Sequence, residues 1–180
     1  MNKSSLIKEG VTIIFLGCLL LGSQLALRKT LWNDEIHTQL RTVEEKSWSQ
    51  ISKGQVLEGN NAPLYYLIQK SIESLAHFHL PFHWIGKQDG RIYHPYSQVL
   101  LRASANLCMS LSISFIVWYF WTYFSLGAAL LALVSCLSSF MLLAYWAEAR
   151  PYALWFLLTT LQMLVFLKAF KTKKPIQGWE

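Results

Sequence analysis

The sequence predicts an all-α, polytopic membrane protein with about four transmembrane helices and one long water-facing loop. Three observations predict it. Val11–Leu27, Ala103–Ala147 and Pro151–Leu167 are runs of 17, 45 and 17 residues without a formal charge. A helix needs about 20 mostly apolar residues to cross the hydrocarbon core, so the middle run has room for two crossings. Backbone in lipid must satisfy its own hydrogen bonds, which makes these runs helices. The third observation is charge placement. The net charge is +6, yet residues 29–97 hold seven basic and seven acidic residues. The excess lies mainly at the ends, with Lys3 and Lys8 before the first run and Lys168, Lys171, Lys173 and Lys174 after the last. Under the positive-inside rule both ends face the cytoplasm, as an even number of crossings requires.

The chain reads as one transmembrane unit over 1–180, with spans near 11–28, 98–120, 125–146 and 152–170 and an extracytoplasmic loop over 29–97. Lys3 and Lys8 ahead of an apolar run also fit a signal peptide. No clean cleavage site follows Gly22, Ser23 and Ala26, so the run is read as a retained span. Trp121, Tyr123 and Phe124 join spans two and three and suit an interfacial aromatic belt. Cys18, Cys108 and Cys136 all fall in apolar runs, imply no disulfide framework and read as packing residues. The basic residues form no stripe, so no nucleic-acid partner is expected.

Two amphipathic helices are expected in the loop. Ile36, Leu40 and Val43 form one apolar face. Leu64, Ile68, Ile72, Leu75 and Phe78 form another, with Lys70 and Glu73 opposite, Pro63 opening the helix and Pro81 ending it. These helices either lie flat on the membrane or pack together as a cap. Ser47–Asn61 and Gly86–Pro95 read as connectors, the first mobile.

Asp34 and Glu35 follow the first span closely and sit at the water edge of the bilayer. A carboxylate there is placed to act as a general base on a substrate whose tail is in lipid. Asn33 or Asp34 as a helix N-cap, with Glu35 in the first turn, is the alternative. Arg102 lies at the start of span two and Arg150 at the end of span three, facing the same compartment. Guanidinium groups there suit a lipid phosphate or pyrophosphate. Snorkelling of Arg102, or an ion pair from Arg150 to Glu148 or Asp34, is the structural alternative. Of His37, His77, His79, His83 and His94, the pair His79 and His83 has zinc-like spacing, but Pro81 interrupts it.

Four short elements bear on function. They are Trp32-Asn33-Asp34-Glu35, Ala62-Pro63-Leu64-Tyr65-Tyr66, Arg102-Ala103-Ser104 and Glu148-Ala149-Arg150-Pro151-Tyr152. In order and membrane position they resemble the N-terminal part of the GT-C superfamily of polytopic glycosyltransferases. The likeness is to the bacterial relatives of protein O-mannosyltransferases and lipid A aminoarabinose transferases. Two positions depart: Ala62 stands where the family has a first proline, and Ser104 comes one residue early. The resemblance implies sugar transfer from a polyprenyl-phosphate carrier to an acceptor on the extracytoplasmic side of a bacterial inner membrane. It makes Asp34 the base or a metal-associated residue, with a divalent cation as the candidate cofactor, and Glu35 its support. Arg102 and Arg150 are assigned to the carrier phosphate on charge alone. Family members are longer, so further membrane segments or a partner subunit are expected to close the carrier pocket. The rival expectation is a non-catalytic assembly or docking protein. Transport is disfavoured, because the ionisable residues lie at the membrane edge rather than the midplane.

Overall fold

The computed structural model describes residues 3–56, 63–77 and 95–172. All regular structure among them is helical. In order the elements are α1 (Lys3–Arg28), α2 (Asn33–Thr38), a π-helical segment (Gln39–Glu44), α3 (Trp48–Ser52), α4 (Pro63–Leu75), α5 (Pro95–Leu101), α6 (Ala103–Tyr123), α7 (Leu126–Ser138), α8 (Phe140–Trp146) and α9 (Tyr152–Thr172). By length and composition α1, α6 and α9 can each cross a membrane, and the bent pair α7–α8 makes a fourth crossing if its halves form one span. The chain is thus a multi-span helical membrane protein.

Helix α6 is the centre, with α1, α7 and α9 packed around it. Helix α1 runs antiparallel to it: Gly10 lies against Trp121 and Gly22 against Asn106. The buried face of α1 carries Cys18, Gly22 and Ala26, small residues four apart that let two backbones approach closely. Its opposite face leaves Ile13 and Leu20 69% exposed, the pattern of a helix meant for lipid rather than water. On α6, the buried Ser112 and Ser114 donate to the carbonyls of Cys108 and Ser110, both at 2.7 Å, so neither hydroxyl is orphaned. Helix α9 buries Ala153, Leu154 and Thr160, then exposes Met163, Val165, Phe166 and Phe170.

Asn106 ties the bundle together. Its amide donates to Leu19 O (3.0 Å) and Ser23 Oγ (3.2 Å) on α1. Its oxygen accepts from Trp146 Nε1 (2.9 Å) on α8 and Ser110 Oγ (3.3 Å). A Cβ at Gly22 would overlap both Asn106 Oδ1 and Trp146 Nε1. Gly22→Ala is therefore expected to destabilise by about 1–3 kcal/mol, the range for overpacking a filled core. Gly17, whose Cβ would meet nothing, is the control. Gly17→Ala should be neutral or stabilising in thermal unfolding in detergent, and equal behaviour of the two variants would refute the packing account.

Several expected boundaries shift. Helix α1 begins at Lys3, ahead of the charge-free run that starts at residue 11. Span two is not one helix from 98 to 120: it breaks at Arg102, which adopts φ −102° and ψ 6°. Span three is bent by 68° between α7 and α8. Ser139 makes that break, with extended backbone and a hydroxyl that accepts from Leu142 N (3.4 Å) as an N-cap.

The loop residues form a cap. Val43, Ile51, Tyr65 and Tyr66 join the same apolar core as Met109 and Ile113 of α6. Part of the expected connector after Ser47 is helical instead, because Ser47 caps α3 by accepting from Gln50 N (3.3 Å) while its own N–H donates to the Gln50 side chain (2.8 Å). The first amphipathic stretch turns π-helical, which brings Gln39, Thr42 and Val43 inward together. On α4 the face is rotated from the expected one. Tyr65, Tyr66, Gln69 and Glu73 are buried, while Leu64 and Leu75 are exposed. Phe78, Pro81, His79, His83, His94 and most of Gly86–Pro95 lie outside the described residues.

Candidate active site

At the loop end of the bundle the chain leaves α1 and turns into α2 with Trp32 as N-cap. Neither Asn33 nor Asp34 takes the N-cap position. Glu35, three residues into the turn, accepts from Trp32 N through Oε2 (3.0 Å). That bond fixes the start of α2.

Arg102 is fully buried and Glu35 is 2% exposed. The guanidinium donates from Nε to Glu35 Oε1 (3.0 Å) and from Nη2 to Glu35 Oε2 (2.7 Å). Nη1 donates to Ala26 O (2.9 Å) and Lys29 O (2.6 Å), and Nη2 also donates to Thr30 O (2.9 Å). Every one of the five guanidinium N–H groups is thereby used. Ala26 O lies in the last turn of α1 and Lys29 O and Thr30 O just beyond it, so Arg102 serves as a C-terminal cap delivered from another helix. Glu35 Oε1 additionally accepts from Ala149 N (2.6 Å) in the α8–α9 link. This ion pair therefore joins the end of α1, the start of α2, the α5–α6 break and the α8–α9 link. Arg102, expected from the sequence to face a phosphate, thus has all its N–H groups on protein acceptors.

Two further ion pairs connect the same segments. Lys29 Nζ donates to Glu148 Oε1 (2.8 Å) and to Ala144 O (3.0 Å), and lies 5.5 Å from the Trp32 ring centroid. Arg150 Nη2 donates to Asp34 Oδ2 (3.0 Å). In this last pair the side chains differ: Arg150 is 18% exposed and Asp34 71%. Of the two acids the sequence offered to Arg150, the structure selects Asp34.

Trp32, Asp34, Glu35, Tyr145, Glu148, Arg150 and Tyr152 line a cleft of about 260 Å³. Tyr145 and Tyr152 stand with ring centroids 4.7 Å apart. The cleft thus combines aromatic walls with carboxylates and a guanidinium, groups that suit a polar ring and an anion. Asp34, Glu35 and Arg150 meet here, whereas Arg102 lies behind the wall. Tyr152 closes the Glu148–Tyr152 element read from the sequence, whereas Lys29 and Tyr145 were not singled out there as site residues. Their signal was aromatic and charged residues recurring at the span ends. Among the described residues no three His, Cys, Asp or Glu side chains are grouped to hold a metal ion. The chain matches no protein-family model, and neither a curated protein nor a solved structure is found similar to it.

A second polar cluster sits under the cap. Glu73, 4% exposed, accepts from Gln69 Nε2 and Gln39 Nε2, both at 2.6 Å, and Gln69 in turn accepts from Ser104 Oγ on α6. Burial pushes the Glu73 carboxyl up to about 7, against the pull of the Gln39 and Gln69 amides; Glu44 pushes it further and Lys70 opposes. The unfolded chain releases this proton near 4.5, the folded one near 7. Between those values the folded state holds the extra proton, so its stability is greatest below the lower one and falls as pH rises toward the upper. The loss is roughly 3 kcal/mol at most. Glu73→Gln should flatten melting temperature between pH 5 and pH 7.5, at a fixed cost of about 1 kcal/mol for one amide facing another. A slope that persists in Glu73→Gln would refute the assignment.

Proposed function

We propose that the chain is a glycosyltransferase, or the N-terminal part of one. It moves a sugar from a polyprenyl-phosphate carrier to a hydroxyl of a lipid or protein acceptor. The observation that carries this reading is the cleft at the loop end, where Asp34 and Arg150 face each other among Trp32, Tyr145 and Tyr152. An aromatic wall suits the apolar face of a sugar ring. A carboxylate at the mouth suits an incoming hydroxyl, and a guanidinium suits the phosphate it displaces.

In this reading Asp34 takes the acceptor's hydroxyl proton. The oxygen attacks the anomeric carbon opposite the phosphate and a C–O bond forms. The bond from that carbon to the phosphate oxygen breaks, its electron pair stays on the phosphate, and the configuration inverts. Arg150 stabilises the carrier monophosphate as charge develops. Glu35 and Arg102 hold α2 and the α8–α9 link so that the two reacting groups face one cleft. No step needs a metal, and none is assigned. The membrane setting is a bacterial inner membrane with both termini cytoplasmic and the cap outside, supported by Lys3 and Lys8 at one end of α1 and Lys168 at the end of α9.

The non-catalytic docking reading has one observation in its favour: the cleft's charges are engaged in ion pairs that join segments. Reconstitution of the full chain in vesicles with a polyprenyl-phosphate sugar and hydroxyl acceptors separates the two. Glycosyl transfer predicts acceptor-dependent release of the carrier monophosphate. Release no greater than in empty vesicles overturns it.

A further inference from the structure

Among the described residues, three cations near the cleft, Arg102, Lys29 and Arg150, are held differently. Arg102 is buried and spends all five N–H groups on protein acceptors. Lys29 is divided between a carboxylate and the carbonyl at the end of α8. Arg150 is bonded to a carboxylate that is 71% exposed, while its own side chain is mostly covered. Of the three carboxylate partners Asp34 is by far the most exposed, 71% against 18% for Glu148 and 2% for Glu35, so its pair with Arg150 is the one an incoming anion reaches. Exposed ion pairs contribute little, because water screens them and two side chains must be ordered. A phosphate offers a guanidinium paired, charge-assisted bonds and more negative charge than one carboxylate.

We propose that the Asp34–Arg150 ion pair is a latch opened by the phosphate of the glycosyl carrier, which replaces Asp34 on Arg150 and so releases the carboxylate to act as base. The inference rests on the glycosyl-transfer reading and adds to it an order of events. Before the carrier arrives, the proton acceptor is tied to the cation that will receive the leaving group. After it arrives, both are engaged with substrate. The base is thus released only when there is an anomeric carbon to attack, and the enzyme binds donor before acceptor. Glu35 makes the exchange local: its four bonds fix the start of α2, so Asp34 has only its own side chain to move.

The test is binding of polyprenyl monophosphate to the full chain in phosphatidylethanolamine vesicles, followed by tryptophan fluorescence, since Trp32 lines the cleft. Asp34→Asn and Asp34→Ala remove the competitor and should bind it about two- to fivefold more tightly. Arg150→Gln should bind at least about tenfold more weakly. The double variant Asp34→Asn/Arg150→Gln should match Arg150→Gln, because the gain requires the guanidinium. Asp34 is exposed, so its variants fold, and a wild-type melting temperature checks this. Unchanged binding in both Asp34 variants, with Arg150→Gln still weak, overturns the latch and leaves glycosyl transfer standing. Absence of binding to the wild-type protein overturns the transfer reading itself. An equal fluorescence change with inorganic phosphate at matched concentration would overturn a lipid-borne phosphate as the key and assign it to free phosphate.

Discussion

Arg102→Met is expected to destabilise the folded protein by about 3–5 kcal/mol, enough to lose most of it from detergent extracts. The change removes one partner of a buried ion pair, which costs far more than the pair contributes, because Glu35 is left charged and uncompensated in an apolar setting. It also strips donors from Ala26 O, Lys29 O and Thr30 O. A companion variant separates the two costs. Adding Glu35→Leu to Arg102→Met removes the stranded charge and should recover part of the loss. Recovery stays incomplete because Thr30 O loses its Arg102 donor, and Trp32 N and Ala149 N lose their acceptor as well. Thermal unfolding in a mild detergent reads both effects. A single variant within about 1 kcal/mol of wild type would show that the network is not what holds the loop end together.

Asp34→Asn is expected to behave in the opposite way, with the fold kept and the reaction lost. Its bond to Arg150 is exposed, so stability should change by no more than about 1 kcal/mol. An amide cannot take the acceptor's proton, and loss of a positioned general base typically lowers turnover by about 10²- to 10⁴-fold. The reduction should fall on kcat, measured as carrier monophosphate released per enzyme at saturating donor and acceptor. Carrier binding should not weaken. Wild-type turnover in Asp34→Asn would remove Asp34 from the chemistry. A parallel loss of stability would place it instead with Glu35, among the residues that build the site. Two adjacent carboxylates are thus predicted to fail in different assays, as expected of neighbours that α2 directs to different partners.

The spans were legible because a long charge-free run has one physical outcome in lipid. Their breaks were not. A serine such as Ser139 is ordinary within a span, and only its bond to Leu142 N turns it into a cap. Arg102 breaks its helix while its side chain reaches carbonyls more than 70 residues earlier in the chain, a relation no local pattern encodes. The buried face of α4 was misread for a related reason. Hydropathy points Leu64 and Leu75 inward, but Gln69 and Glu73 take those places because they satisfy each other and Ser104. At the cleft, Asp34 and Arg150 stood out because ionisable groups beside an apolar run are costly and therefore informative. What separated Arg150 from Arg102 was the exposure of their carboxylate partners, 71% for Asp34 against 2% for Glu35, which only three-dimensional placement reveals.

The bond from Ala149 N to Glu35 Oε1 has a consequence for how the protein is made. One wall of the cleft comes from residues 32–35 and the other from residues 145–152. A ribosome synthesising this chain delivers the first wall early and the second more than a hundred residues later. Until then Glu35 lacks the hydrogen bond from Ala149 N. The newborn chain therefore carries no cleft until residue 152 has emerged, and a message cut short before that codon yields helices but no binding site.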